Sequence, residues 1–360
     1  MRIAKFVTLD DPWPWPRQTP RGDGVFGDTR FVFDRGCKSY DYLVVFNQLP
    51  PELAESPEPQ RAIFIAPEPA SIKRYDPAFL RQFGTVITHD PDTTHPGCIF
   101  SQVGSPWHVG VPTGRTARYG ESLSFEQLAQ PAGAKPKLIS VICSDKAFTP
   151  EHRCRLELVK ALQAHFGDRL DFFGRGLRDL EDKAQALLPY RYHVALENTD
   201  ARDAWTEKLA DAFLAETFPI YWGCRNAEDY FPADSFARIP VDDHAAAITI
   251  IEKIIVGDIA DARRPAVQEA KRRVLYEHNI FALLDRTLSA LSARGGVAAS
   301  APVRLLPEPA FAAALPAPAW STRIKALTDR MLRRHPAALD LLRRGYRSLI
   351  AMSGMRRIQP

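Results

Sequence analysis

Short apolar runs alternate along this chain with longer stretches in which apolar residues return every three or four positions, the pattern of strands exchanging with amphipathic helices. In the first third, Ile3–Leu9, Arg30–Phe33, Tyr42–Phe46, Ala62–Ile65 and Thr85–Thr88 predict five strands separated by helical or irregular pieces. Beyond residue 136 the alternation is cleaner. It predicts strands at Leu138–Cys143, Leu170–Phe173, Tyr192–Leu196, Phe218–Trp222 and Phe236–Ile239. Between and after them it predicts helices at Pro150–Phe166, near Leu177–Leu187, at Thr206–Ala215 and at His244–Val256, and Pro150 is placed to start the first. Repeated β-α order of this kind implies parallel, doubly wound sheets of the α/β class. Pro265–Ala293 reads as one or two longer helices.

Proline and polar residues punctuate the pattern. A chain of 360 residues exceeds what one core usually serves, so two domains are expected. The first spans residues 1–112, a polar Gly/Pro-containing connection spans 113–136, and the second spans 137–295. Residues 296–320 read as a Pro/Ala-rich linker, because five prolines among small residues in Ala301–Pro318 disfavour a packed core. In 321–360, Ile324, Leu327, Met331 and then Leu339, Leu342, Tyr346 and Leu349 recur at helical spacing with basic residues between them. Such a basic helical tail suits an anionic membrane surface, or a helix docked on the protein's own body.

Charge sharpens this division. The formal net charge is +4, but ten Lys/Arg against two Asp place +8 in residues 321–360 and leave −4 for the rest, so the body carries no nucleic-acid signature. The five cysteines form no CxxC pair, which indicates neither a zinc site nor a disulfide framework and fits a reducing cytosol. Asp10 and Asp11 interrupt the N-terminal apolar run before it reaches signal-peptide length, and no segment approaches the roughly 18 apolar residues of a membrane span. A cytoplasmic location is expected, with the tail able to bring the protein to the inner face of the cytoplasmic membrane.

Chemistry concentrates in residues 190–243, where Glu197, Asn198, Thr206, Glu207 and Lys208 lie between two apolar strands. Thr206 can cap the following helix, whose first turn then presents Glu207 and Lys208 beside free backbone N–H groups that favour a phosphate. Asn198, at the end of the preceding strand, faces the crevice where open α/β sheets bind ligands. In order and spacing, Glu197-Asn198, Thr206-Glu207-Lys208, Pro219 with Gly223, and Phe231–Phe236 resemble the signature of glycosyltransferase family 10, the α1,3/4-fucosyltransferases. The resemblance is specific over about residues 137–250. The aromatic that the family places two residues before Thr-Glu-Lys is displaced by one here, to Trp205 after Ala204.

The resemblance implies a GT-B-like fold, two Rossmann-like domains facing a cleft. It also implies GDP-L-fucose as donor, a glycan hydroxyl as acceptor and inversion by a single displacement. Within that frame Arg155 and Lys208 neutralise the pyrophosphate, with Arg153 the local rival of Arg155. Asn198 reaches the nucleotide, and Glu207 is the candidate for the ribose hydroxyls. Gly174, in Gly174-Arg175-Gly176, could let the ligand approach the backbone, and Tyr221 could line the nucleotide pocket or belong to the core. Glu68 in IFIAPEP is the candidate general base from the first domain, with Asp90 and Asp92 in reserve. No tightly bound cofactor and no divalent metal is called for by any motif. Two alternatives stay open: another nucleotide sugar at the same site, or a glycan-binding or membrane-scaffold protein that kept the fold without turnover.

Overall fold

The computed structural model describes residues 1–9, 13–50, 55–56, 58–113, 119–143, 149–174, 178, 180–294 and 303–311. The basic tail, Arg175 and Gly176 lie outside them. Met1–Phe311 forms one compact unit.

The first half is a seven-stranded sheet made of β1 (Arg2–Val7), β2 (Val25–Phe26), β3 (Thr29–Val32), β4 (Tyr42–Phe46), β6 (Ala62–Ala66), β7 (Thr85–Thr88) and β8 (Cys98–Phe100), while β5 (Glu55–Ser56) stands apart. Its order is β2-β3-β1-β4-β6-β7-β8, parallel except for the β2–β3 hairpin. Side chains alternate across the sheet as a two-residue period requires. Ala4, Phe6, Val44, Phe46, Ile63 and Ile65 enter one core, and Val7, Leu43, Val45, Ala62, Phe64 and Ala66 the other. Both faces are therefore covered, which a parallel sheet needs.

The second half is a five-stranded parallel sheet of β9 (Lys137–Ile142), β10 (Leu170–Phe173), β11 (Tyr190–Leu196), β12 (Phe218–Trp222) and β13 (Ala237–Arg238) in the order β10-β9-β11-β12-β13. Its order reverses between β9 and β11, the topological switch point where doubly wound sheets open a crevice. Around it run α3 (Pro150–Phe166), α4 (Ala184–Leu187), α5 (Glu207–Leu214), α6 (His244–Val256), α7 (Ile259–Ala262) and α8 (Arg264–Tyr276). The α1 helix (Pro77–Leu80) belongs to the first half. With the two sheets facing one cleft, the architecture is the GT-B-like one expected.

The segments that connect these elements carry structure of their own. The connection 113–136 holds a short helix, α2 (Phe125–Ala129), started by a Ser124/Gln127 capping box, and Phe125 and Leu128 are buried in the second core. The helix expected near 177–187 is only the four residues of α4 among the described residues. The last helical stretch breaks at Glu277–Asn279, where Asn279 caps α9 (Ile280–Ala293). At this break the chain changes cores, because α8 packs in the second and α9 returns to the first through Ile280, Phe281, Leu284 and Leu288. The supposed linker also docks: β14 (Val303–Arg304) pairs with β5, and Leu305 is buried in the first half.

Candidate active site

Two cavities of about 420 Å³ and 390 Å³ adjoin in the cleft, and both have His108, Asn198, Glu207 and Lys208 in their walls. Each falls in the usual size range of small-ligand sites. The first sits at the switch point of the second sheet and is lined by Ile142, Cys143, Arg155, Gly174, Lys183 and His193. The second spans the two halves, with Asn47, Glu68 and His89 on one side and Glu197, Ala204 and Trp205 on the other.

The turn after β11 is built around Glu197. Its buried carboxylate accepts hydrogen bonds from Thr206 N (2.8 Å) and Thr206 Oγ1 (2.6 Å), which fixes the residue that caps α5. Thr206 Oγ1 in turn accepts from the backbone N–H of Lys208 (3.3 Å). Gly223 makes room for this arrangement: it has φ +147°, and a Cβ there would lie 2.3 Å from Glu197 Cγ. Burial raises the Glu197 carboxyl, and Lys208 partly offsets that.

The first turn of α5 is consequently a dense charged layer. Lys208 Nζ reaches Thr206 Oγ1 (3.2 Å), Glu207 Oε1 (3.2 Å) and Glu197 Oε2 (3.5 Å). Lys183 Nζ reaches Glu207 Oε1 (3.4 Å) and Asp211 Oδ2 (3.1 Å). Burial alone would raise the Glu207 carboxyl, but Lys208, then Lys183 and His108, outweigh it and hold the group well below the ordinary carboxylate value. Lys208 is held above the ordinary lysine value because Glu207 and Glu197 overcome the effect of its burial.

Arg155 faces this layer from α3. It is 4% exposed; its Nη1 donates to Asn198 Oδ1 (2.5 Å), while Nε and Nη2 have no partner among the described residues. An unsatisfied buried guanidinium costs about 1–3 kcal/mol or more, a cost that a bound anion relieves. The rival Arg153 is exposed and lines neither cavity. Gly174 has φ +134°, and a Cβ there would meet Cys143 O at 1.8 Å, so only glycine fits this edge of the first cavity.

In the second cavity Glu68, two residues past β6, makes no hydrogen bond or ion pair through its carboxylate among the described residues. Asp90 and Asp92 line neither cavity. Tyr221 requires a correction. It is fully buried, accepts from Cys224 N (3.0 Å) and lies 3.4 Å from Glu197 Oε1, so it supports the Glu197 turn from behind and lines neither cavity. At the last-but-one position of β12 its ring points into the sheet–helix core.

Residues 132–256 match the family described as "Glycosyltransferase family 10 (fucosyltransferase) C-term". Over that stretch, about a third of its length, the chain is similar to glycosyltransferase family 10. It is 33% identical over 112 residues to the Homo sapiens protein "4-galactosyl-N-acetylglucosaminide 3-alpha-L-fucosyltransferase 9", covering 29% of this chain and 30% of that protein. It is 33% identical over 61 residues to the Helicobacter pylori "Alpha-(1,3)-fucosyltransferase FucT", covering 17% of this chain and 13% of that one. The matched stretches thus span less than a third of these curated relatives. The solved structure "Crystal Structure of alpha1,3-Fucosyltransferase with GDP-fucose" superposes with a TM-score of 0.45 at 13% identity, over 83% of this chain and 93% of that chain.

The family 10 segment contains Arg155, Gly174, Asn198, Glu207 and Lys208, all in one cavity, whereas Glu68 lies outside it. Four further residues of the site escaped the sequence reading: Lys183, Asp211, His108 and His89. Asp211 sits one turn after Glu207 on α5, a spacing that could have placed it on the same helix face. The lone histidines and Lys183 carry no local signal. Among the described residues no cluster of His, Cys, Asp and Glu could hold a metal ion, and no helix is long and apolar enough to cross a membrane.

Proposed function

We propose that this chain acts as a family 10 enzyme and transfers L-fucose from GDP-L-fucose to a glycan hydroxyl with inversion at the anomeric carbon. The observation that carries the reading is Arg155, with two guanidinium nitrogens unpartnered among the described residues, converging with Lys208 and the capped start of α5 on one cavity. The diphosphate lies there, and cations and backbone donors stabilise the charge that builds on departing GDP. Asn198 and Glu207 contact the nucleotide, and Gly174 lets it approach the chain. In the second cavity Glu68 takes the proton of the acceptor hydroxyl. The freed oxygen forms the new bond to the anomeric carbon as the bond to the diphosphate oxygen breaks, and GDP leaves with that electron pair.

The relatives' names and the adjoining second cavity support a saccharide acceptor, with α1,3 linkage to N-acetylglucosamine in an oligosaccharide or lipopolysaccharide as the first choice. The tail 321–360 would hold the protein on anionic lipid. The test is incubation of purified protein with GDP-fucose, GDP-mannose and UDP-sugars in the presence of N-acetyllactosamine and lipopolysaccharide acceptors. Fucosylated product from GDP-fucose alone is expected. Product from another donor would replace the sugar, in keeping with Ala204 in the loop wall, and the absence of any nucleotide binding would remove the enzymatic reading.

A further inference from the structure

The two cavities meet at a wall of four residues, and three of these already have partners. Asn198 accepts from Arg155, Glu207 is held by Lys183 and Lys208, and Lys208 is shared among Thr206, Glu207 and Glu197. The fourth, His108, makes no side-chain hydrogen bond among the described residues. Yet it is held firmly. Arg17 Nη1 and Nη2 donate to the carbonyls on either side of it, Trp107 O (2.7 Å) and Val109 O (2.7 Å). Its own N–H donates to Asp211 Oδ1 (3.0 Å), and its ring lies 4.6 Å from the Trp13 ring at 44°. A side chain whose backbone is pinned from three directions while its polar atoms stay unused is preorganised for a ligand.

We propose that His108 hydrogen-bonds a hydroxyl of the sugar being transferred, and so is a specificity-determining residue for the donor. This inference rests on the GDP-sugar reading above. The sugar must sit between the diphosphate, at Arg155 and Lys208, and the acceptor beside Glu68, and the shared wall is that position. The ring is neutral at physiological pH, because burial and then Lys183 push it down to about 4 against the pull of Glu207 and Asp211. A neutral imidazole offers one donor and one acceptor, the complement of a hydroxyl. A cation there would instead compete with Lys208 and Lys183 for the diphosphate.

Calorimetric titration of the full chain with GDP and with GDP-fucose tests this, using the wild type, His108→Ala and His108→Asn. His108→Ala should weaken GDP-fucose about tenfold while changing GDP by less than about twofold, because only the sugar contact is lost. His108→Asn, which keeps a donor and an acceptor, should recover part of that loss, and its circular dichroism guards against a folding defect. Equal weakening of both ligands, or unchanged GDP-fucose affinity in both variants, overturns the assignment. A wild type that binds neither ligand overturns the GDP-sugar reading itself, and His108 loses its role with it.

Discussion

The two adjoining cavities differ in how their polar groups are satisfied. In the first, Lys183, Lys208, Glu207 and Asp211 form a network closed on itself, while Arg155 keeps two nitrogens without a partner among the described residues. In the second, Glu68 has no partner, and His89, 8% exposed, has none for either ring nitrogen among the described residues. The network on the first side fixes geometry. The open groups on the second side are available for chemistry and recognition, and the structure bears the desolvation cost of leaving them unpaired.

The largest expected effect breaks the comparison on the second side. Glu68→Gln should lower fucosyl transfer about 10²–10⁴-fold with GDP affinity unchanged, as measured by product formation and by titration, if this unpaired carboxylate is the base. Near-normal turnover would end that role.

The next sharpens the first side, where Arg155 and Lys208 should separate. Arg155→Met removes a guanidinium that is only partly satisfied, so the melting temperature should hold or rise while GDP affinity falls about 10–100-fold. Lys208→Met leaves Glu197 and Glu207 without their shared cation and should lower both affinity and melting temperature. Parallel behaviour of the two variants would show that Arg155 is structural as well.

A smaller effect comes from acid. His193, buried at the floor of the first cavity with Nδ1 at 2.8 Å from Ser140 Oγ, is pushed down to about 3, chiefly by burial and then by Lys183. Its folded-state value lies below the unfolded one of 6.5, so the unfolded chain binds the extra proton first. Stability should therefore decline as pH falls below about 6.5 and keep declining towards about 3. The slope from this one group is at most about 1.4 kcal/mol per pH unit. Urea unfolding between pH 7 and 5 reads it, and His193→Gln should flatten the curve; an unchanged curve would move the source elsewhere.

The smallest effect is a control. Arg153→Ala, on the exposed face of α3 two residues from Arg155, should change stability by less than about 0.5 kcal/mol. It should leave GDP binding untouched. A binding loss there would reassign the second cation.

The sequence made the first side legible and the second side largely not. Helix α3 runs from Pro150 to Phe166 as its periodicity and starting proline indicate, and α5 begins behind Thr206 as its capping residue indicates. Those signals are local, and so are the residues of the charged layer. His89, His108 and Lys183 reach the cavities only through packing between distant segments, such as Arg17 on Trp107 and Val109, and no spacing along the chain encodes that. Glu68 was visible because it follows an apolar strand in IFIAPEP, a segment that resembles the family piece carrying such a glutamate. Tyr221 stayed open between pocket and core for the converse reason: strand-end position does not tell which face a ring takes.

The return of residues 303–311 to the first half reaches the loop that carries Glu68. Glu308 pairs with Lys73 (2.8 Å) and accepts from Asp76 N (3.1 Å), a contact across 232 positions of sequence, while Tyr75 donates to Asn47 in the wall of the second cavity. Residues 69–76 are thereby tethered at their far end by a segment that touches neither cavity. Loosening that tether would alter the stiffness beneath Glu68 and leave the walls around Arg155 as they are, giving the molecule a remote handle on one of its two cavities only.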